Sequence, residues 1–321
     1  MVGRVFEGGK RMRRLDNIDI RLLRVFATLV EAGGFGDAQI ALNLSQPTLS
    51  THLAALERKL GAPLCIRGRR GFQLTPFGEA TYLATQKLFA DINSFEERVS
   101  QHNGQLVGRL RIGIVDGIAT NPSLGLQHVI GRFMENAENV FIDLELGTPH
   151  LLEQAIADGR RDVVIGPMSQ KVPGVTYVAI HREPHGLYCG KGHPLFDAPS
   201  AAITREAIGK SLFSVRGYRH LDDLYRADHP RATGQVVQME AQVMMILSGR
   251  FIGFLPRHVA EGWARQGLMR ELKPQSYQFQ SSHFAAYRKS DDDRPIVRSF
   301  ARFLSQHAGQ TRKPVSAGKM T

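Results

Sequence analysis

The sequence has little cysteine and lacks long apolar runs. Its two cysteines, Cys65 and Cys189, lie in segments that we expect to belong to different domains, so we predict reduced thiols without a disulfide. No window approaches the roughly 18 apolar residues that a membrane-spanning helix needs. Met1–Arg14 is basic but has no apolar centre of a secretory signal, so we predict a disordered basic arm over residues 1–15; sequence upstream of a true start at Met12 is the alternative. We therefore expect a cytoplasmic protein that makes no membrane contact.

The sequence also lacks the usual signatures of enzymes. It has no P-loop, no dinucleotide-binding glycine pattern, no nucleophile elbow and no zinc-ligand spacing. His181 and His185 are four residues apart, but Pro184 intervenes, so they do not share the face of a regular helix. Asp291–Asp292–Asp293 precedes Pro295 and is best explained as a solvated loop. We predict no catalytic residues, no metal site and no cofactor; an enzyme or an α/β ligand-binding protein is the alternative.

Basic residues are in excess, and they are concentrated near the N-terminus. The formal net charge is +11. Residues 1–74 hold 12 Lys/Arg against 6 Asp/Glu, whereas the remaining residues hold 29 against 24. Because phosphate groups attract Lys and Arg, this distribution indicates a polyanionic partner for the N-terminal segment.

Within this basic segment, the sequence predicts two short helices joined by a tight turn. The first covers Gly36–Asn43. The second begins after Ser45, a good N-cap, and has Pro47 in its first turn, where a missing N–H costs nothing. This is the plan of a helix-turn-helix, although an ordinary amphipathic pair in a core has the same pattern. The apolar stripe of the second helix is Leu49, Leu53, Leu56 and Leu60, and Gly61 ends it.

Residues 63–75 then form two strand-like runs around a basic turn, as a wing does. We expect the arginines of this wing, Arg67, Arg69 and Arg70, to contact DNA phosphates. We expect the polar side of the second helix to face the major groove. Its predicted DNA-contacting residues are Ser45, Gln46, Pro47, Thr48, Ser50, Thr51 and His52.

The longest helical pattern follows, over residues 76–103. Apolar residues three and four apart form a narrow seam along it, of the kind that pairs helices. Packing within the chain or a partner helix would cover such a seam. The residues predicted to pair are Phe77, Ala84, Leu88, Ile92, Phe95 and Val99.

From residue 108 onward, strands alternate with helices, which predicts a mostly parallel sheet. Ligands of such sheets bind beyond the carboxyl ends of strands, and helix starts at that edge suit an anion. Arg216 is the predicted carboxylate partner and Tyr218 the predicted stacking wall; for the threonines, simple N-capping is the alternative. The other predicted ligand contacts are Asp116, Gly117, Thr120, Asn121, Gly147, Thr148, Pro149, Gly166, Met239 and Glu240.

The N-terminal pattern resembles the DNA-binding domain of the LysR-type transcriptional regulators, without a gap from about Leu22 to Gln86. The sequence departs from the family pattern at Gln39, where Ala is common, and at Thr51 and His52, where Arg and Gln are common. The matching positions are Phe35, Ala38, Leu42, Ser45–Gln46–Pro47, Leu49–Ser50, Leu53, Leu56–Glu57, Leu60–Gly61, Leu64, Arg67, Leu74–Thr75 and Gly78.

The resemblance implies a winged helix-turn-helix (16–75), a dimerising linker helix (76–103) and an α/β effector domain (108–306). The effector domain would resemble type 2 periplasmic binding proteins, with subdomain I at 108–183 and 275–306, subdomain II at 184–274, and a disordered tail at 307–321. Implied partners are double-stranded DNA, a small-molecule effector, which we take to be an organic acid, further copies in a homodimer or homotetramer, and RNA polymerase if the protein activates transcription.

Overall fold

The computed structural model describes residues 17–68, 71–101, 106–168 and 171–311. The predicted basic arm and the wing residues Arg69 and Arg70 lie outside the described residues, as does the side chain of Arg67. The chain forms two compact units, Met1–Ile92 and Asn93–Thr321.

The first unit contains the predicted helix-turn-helix and a two-stranded hairpin. The apolar stripe of α3 (Gln46–Leu60) is buried against α1 (Asn17–Glu31), with Leu49, Leu53 and Leu56 almost fully enclosed. Asn43 closes the turn between α2 (Phe35–Leu42) and α3 in the left-handed conformation, at a φ of 51°. The elements are α1 (Asn17–Glu31), α2 (Phe35–Leu42), α3 (Gln46–Leu60), β1 (Cys65–Gly68), β2 (Gly71–Leu74) and α4 (Pro76–Gln101), whose last turns belong to the second unit.

Side-chain hydrogen bonds fix the hairpin between α3 and α4. Glu57 Oε1 accepts the N–H of Leu64 at 2.8 Å, and Thr75 Oγ1 accepts the N–H of Gly78 at 2.9 Å, capping α4. A Cβ at Gly78 would lie 2.0 Å from the carbonyl oxygen of Leu64, so only glycine fits there. These residues of the family pattern therefore hold the wing to the helices.

The second unit is built on one mixed sheet that passes through two lobes. The strand order is β4 (Asn139–Leu146), β3 (Val107–Ile114), β5 (Val163–Gly166), β11 (Gln278–Arg288), β6 (Val175–Gly190), β9 (Phe251–Pro256), β7 (Leu212–Arg216) and β8 (Gly234–Val236), and β10 (Met269–Glu271) pairs with β6. β3 is parallel to β4 and β5, and β7 is parallel to β8 and β9. The first lobe has β3 (Val107–Ile114), α5 (Leu126–Met134), β4 (Asn139–Leu146), α6 (Pro149–Ala157), β5 (Val163–Gly166) and α11 (Pro295–Thr311).

The second lobe covers the chain between two long crossing strands, β6 (Val175–Gly190) and β11 (Gln278–Arg288). Each lobe has its own apolar core, around Phe133 and Phe300 in the first and around Phe213 and Phe254 in the second. The elements of the second lobe are α7 (Arg205–Lys210), β7 (Leu212–Arg216), α8 (His220–Ala227), β8 (Gly234–Val236), α9 (Met239–Leu247), β9 (Phe251–Pro256), α10 (Arg257–Arg265) and β10 (Met269–Glu271).

The predicted fold class is confirmed, with differences in detail. The predicted strands at 175–180 and 186–189 are one continuous strand, β6, because Pro184 pairs with β11 on one side and pairing with β9 starts only at His185. α11 reaches Thr311, so the tail predicted from residue 307 began too early. None of the helices in the described ranges is long and apolar enough to cross a bilayer.

Candidate DNA-binding and ligand-binding sites

The predicted polar face of α3 is accessible at the start of the helix. Ser45, Gln46 and Pro47 are exposed, and Thr48 and Ser50 are half-buried. The Ser45 hydroxyl does not cap the helix, since its oxygen lies 2.9 Å from Thr48 Oγ1. The face therefore presents hydroxyl and amide groups beside a buried leucine stripe.

Two of the three positions that depart from the family pattern, Thr51 and His52, have hydrogen-bonding groups that are not open to DNA. Thr51 donates its hydroxyl proton to the carbonyl oxygen of Pro47 at 2.9 Å, leaving only lone pairs for a partner. His52 is half-buried, and its Nδ1 is enclosed without a hydrogen-bond partner in the described part of the chain. Any base contact by His52 would therefore use Nε2.

A cavity of about 160 Å³ lies between the two lobes of the second unit. The carboxyl ends of β3 and β4 border it from the first lobe, and segments that follow β7 and β8 border it from the second. Of the predicted contacts, Asp116, Gly147, Thr148, Pro149 and Tyr218 line the cavity. The prediction missed its other wall residues, which adjoin the predicted ones: Leu146, Leu151, Val237 and Gln238.

Asp116 joins the lobes at the cavity wall. Its carboxylate accepts the N–H of Met239, the first residue of α9 in the second lobe. Burial raises the pKa of Asp116, and the Met239 hydrogen bond only partly opposes this rise. Asp116 is also the only charged residue among the described residues that line the cavity. Glu240, which follows Met239, is exposed.

Arg216 is buried beside Tyr218 and is not among the lining residues. It is 2% exposed, and its Nε lies 3.6 Å from Asp223 Oδ2. Its Nη1 lies 3.5 Å from His185 Nε2, and its Cζ is 5.7 Å from the centre of the Tyr218 ring. Nε and Nη2 make no hydrogen bond to any described residue. Arg216 is thus an incompletely paired buried cation.

Thr148 and the three glycines predicted to contact the ligand also have structural roles. Thr148 Oγ1 accepts the N–H of Leu151 at 3.4 Å, capping α6. A Cβ at Gly166 would lie 2.6 Å from Val115 Cγ1, so this glycine serves strand packing, and one at Gly147 would lie 2.9 Å from Leu152 Cδ2. Gly117 adopts a φ of 78°, which favours glycine at the turn after β3.

A buried polar cluster around Glu183, which sequence reasoning missed, uses the two remaining predicted residues. Asn121 Nδ2 donates to Glu183 Oε1 at 3.2 Å, and His258 Nε2 lies 2.9 Å from the same oxygen. Thr120 Oγ1 lies 2.9 Å from His258 Nδ1. Thr120 and Asn121 therefore tie the first lobe to α10 of the second lobe rather than lining the cavity.

The charge of Glu183 is stabilised inside this cluster. Burial by itself raises the pKa of Glu183, but the His258 hydrogen bond and the nearby imidazoles of His283 and His185 outweigh it and hold the pKa at about 2. Burial lowers the pKa of His185 and of His283, and Arg216 lowers that of His185 further. No group of three His, Cys, Asp or Glu in the described ranges is arranged to hold a metal ion.

The apolar seam predicted on α4 is only partly exposed to solvent; the rest of it packs within the chain. Phe95 and Val99 are 68% and 55% exposed, and Phe77 and Ala84 are also exposed. Leu88 is half-buried, because it packs against the core of the first unit. The exposed apolar surface therefore lies toward both ends of the helix.

The fold and these sites define a class of protein: a winged helix-turn-helix joined by a long helix to a two-lobed domain with an interlobe cavity. Two family models match the chain, "LysR substrate binding domain" over residues 103–309 and "Bacterial regulatory helix-turn-helix protein, lysR family" over residues 20–79. The chain belongs to the LysR family of DNA-binding transcriptional regulators, which carry an effector-binding domain, and it is not an enzyme.

Relatives and solved structures agree with this assignment. The chain is 34% identical over 268 residues to the HTH-type transcriptional activator BauR of Pseudomonas aeruginosa, covering 83% of this chain and 88% of that protein. A full-length variant of OxyR from Pseudomonas aeruginosa has the same fold, with a TM-score of 0.65 at 22% identity over 92% of this chain and 95% of that one. Full-length CbnR complexed with its target DNA gives 0.62 at 20% identity over 90% and 99%.

Proposed function

We propose that the effector of this regulator is a small organic acid that binds in the interlobe cavity. The observation that carries the proposal is the carboxylate of Asp116, which accepts the N–H of Met239 at the start of α9. A carboxylate thus fits at this helix start, where the helix dipole favours an anion by a few tenths to about 2 kcal/mol. The carboxylate of an effector would compete with Asp116 for this position.

Two further features support a small anion. Arg216, close to the cavity residue Tyr218, has two nitrogens, Nε and Nη2, without hydrogen-bond partners among the described residues, and a carboxylate would accept hydrogen bonds from them. The cavity volume of about 160 Å³ is below the roughly 300 Å³ typical of sites for drug-sized molecules. An effector that closes the lobes shifts the regulator only if it binds the closed form better than the open one.

Calorimetry on the full-length protein tests this proposal. Each small carboxylic acid of a panel is paired with its primary amide, which keeps the shape and removes the charge. We expect at least one acid to bind, its amide to bind at least about tenfold more weakly, and Asp116→Asn to tighten acid binding because a competing anion is removed. Glu261→Gln, at an exposed position of α10, is the control. A best ligand that is neutral or cationic would refute the proposal.

We also propose that α3 enters the major groove of operator DNA, with Gln46 reading base edges beside Ser45, Thr48 and Ser50. Thr51 would contribute as a hydrogen-bond acceptor through its hydroxyl oxygen, and His52 would contribute through Nε2. The wing residues Arg67, Arg69 and Arg70 would bind phosphates. Arg69→Ala should then weaken binding to all DNA alike and lower the slope of log affinity against log salt by about one. A changed preference at a single base pair would contradict a phosphate role.

The proposed assembly is a homodimer that forms through the α4 seam, and two dimers pair into a homotetramer. If the protein activates transcription, it would also contact RNA polymerase. The exposed apolar side chains of Phe77, Phe95 and Val99 support the dimer, because a helix partner would bury them. The proposed place of action is the cytoplasm, where the operator DNA of a bacterium lies.

A further inference from the structure

A buried ion pair within the second unit attaches the last turns of α4 to the first lobe. Glu97 is 2% exposed, and Arg294 holds it with two parallel hydrogen bonds: Nε donates to Oε2 at 3.0 Å and Nη2 donates to Oε1 at 2.6 Å. A bidentate guanidinium–carboxylate pair fixes orientation as well as distance. Its neighbours on the helix, Glu96 and Arg98, are exposed.

Arg294 connects Glu97 to a second carboxylate in the sheet. Its Nη1 donates to Asp162 Oδ1 at 2.5 Å, and Asp162 is fully buried. Arg111 donates to the same carboxylate three times, from its backbone N at 2.8 Å and from Nε and Nη2 at 3.2 and 2.8 Å. Asp291 Oδ2 also faces Arg294 Nη1 at 4.0 Å and is itself paired with Arg288 Nη2 at 2.8 Å, so three cations and three anions balance in one network.

Close backbone packing leaves Glu97 little freedom. Gly108, at the start of β3, has a φ of 132°, and a Cβ there would lie 3.1 Å from Glu97 Cγ and 3.2 Å from Ile296 Cδ1. The side chain of Glu97 is thus confined between β3 and α11. Burial raises its pKa, and the Arg294 hydrogen bond opposes that rise.

The network lies at the opposite end of the strands from the cavity. Asp162 immediately precedes β5, and Arg111 is on β3; β3 leads to Asp116 and β5 to Gly166. At about 3.3 Å per residue, Arg111 and Asp116 are separated by roughly 16 Å of extended chain. Two strands therefore connect the ligand-binding edge of the first lobe to the residues that hold α4.

We propose that Glu97 and Arg294 are positioning residues that make the end of the linker helix a rigid part of the first lobe. A movement of the first lobe then moves the end of α4 with it, and the continuous helix transmits this movement to the DNA-binding domain. A flexible connection at this point would not transmit it. The proposal does not depend on which molecule is the effector.

The test uses the full-length protein on a DNA fragment selected from random sequences by the wild type. Hydroxyl-radical footprints and DNA bend angles are compared for Glu97→Gln, the double variant Glu97→Gln with Arg294→Gln, and the exposed control Glu96→Gln. The single variant removes one of the carboxylates that pair with Arg294, which leaves the buried network with an excess positive charge and should lower Tm. The double variant removes one charge of each sign and should recover much of that loss.

We expect both variants at Glu97 to change the spacing of the protected segments or the bend angle, with single-site affinity within about threefold of wild type, while Glu96→Gln changes neither. Identical footprints and bends in all proteins would overturn the proposal. So would a footprint that reverts together with Tm in the double variant, because that result would mean that Glu97 only stabilises the fold.

Discussion

Replacing Glu183 with Gln should destabilise the effector domain, since this carboxylate is charged in a buried cluster that ties the lobes. Its pKa is held at about 2, against an ordinary value of 4.5. Because each pKa unit corresponds to about 1.4 kcal/mol, the charged form contributes about 3 kcal/mol to stability. Glutamine keeps the size and the acceptor oxygen for Asn121 and His258 but carries no charge.

The contribution of Glu183 has a defined pH window. Its folded pKa lies below the unfolded value, so the stabilisation is complete above about pH 4.5 and is lost as the pH falls toward 2. The lowered pKa values of His185 and His283 also make stability depend on pH: the unfolded chain binds protons below about 6.5 that the folded chain does not, so stability already falls there. Because Glu183 raises the pKa of both imidazoles, that loss should be similar in wild type and variant only while both imidazoles stay neutral in the folded state.

Urea unfolding followed by fluorescence of the single tryptophan measures this effect, because Trp263 packs in the second lobe. The difference between wild type and Glu183→Gln should be about 3 kcal/mol at about pH 7 and pH 5, and clearly smaller near pH 3. Glu206→Gln, which removes a surface partner of Lys210, should leave the midpoint unchanged. Equal midpoints for wild type and Glu183→Gln at neutral pH, or a difference that grows in acid, would refute the reasoning.

Three further changes have definite expected outcomes. Gln46→Ala should cost roughly 1–3 kcal/mol on a selected DNA site and little on random DNA in a shift assay; equal losses would exclude base readout. Phe95→Glu places a charge in the exposed part of the seam and should convert dimer to monomer in light scattering, with an unchanged circular dichroism spectrum. Gly78→Ala, whose Cβ would meet the Leu64 carbonyl, should destabilise the DNA-binding domain by about 1–3 kcal/mol in thermal melts, whereas Gly36→Ala, with open space in a helix, should not.

Much of the fold could be predicted because its segments bury their apolar side chains, on one face of a helix such as α3 or on both faces of a central strand such as β5. The leucines of α3 and the apolar runs of β3 and β5 are buried at the spacings that their elements require. α8 was missed because two of its large apolar side chains, Leu221 and Tyr225, are exposed, so its apolar pattern does not follow its buried side, where Asp223 and Ala227 lie. α10 was missed because it starts directly after Pro256 without a separate N-cap signal.

The site was harder to predict than the fold because its chemistry depends on partners distant in sequence. The rule that ligands bind beyond the carboxyl ends of strands led to Asp116 and Thr148, and both residues line the cavity. It could not show that Asn121 is committed to Glu183, 62 residues away, or that Glu183 also binds His258, 75 residues further on. Such pairs produce no periodic pattern in the sequence, since each residue alone is an ordinary polar side chain in a loop, strand or helix.

Arg216 is a residue whose proposed role in ligand binding depends on partners that are distant in sequence. From sequence, Arg216 is a cation at a strand end that a ligand carboxylate could reach. In the fold it faces Asp223 and His185, and its nitrogens Nε and Nη2 have no hydrogen-bond partners among the described residues. An effector anion near Tyr218 would complete the hydrogen bonding of Arg216 and at the same time compete with Asp116 for the start of α9. Binding would therefore change the electrostatics of both lobes at their junction, and the first lobe is the one to which Glu97 holds the linker helix.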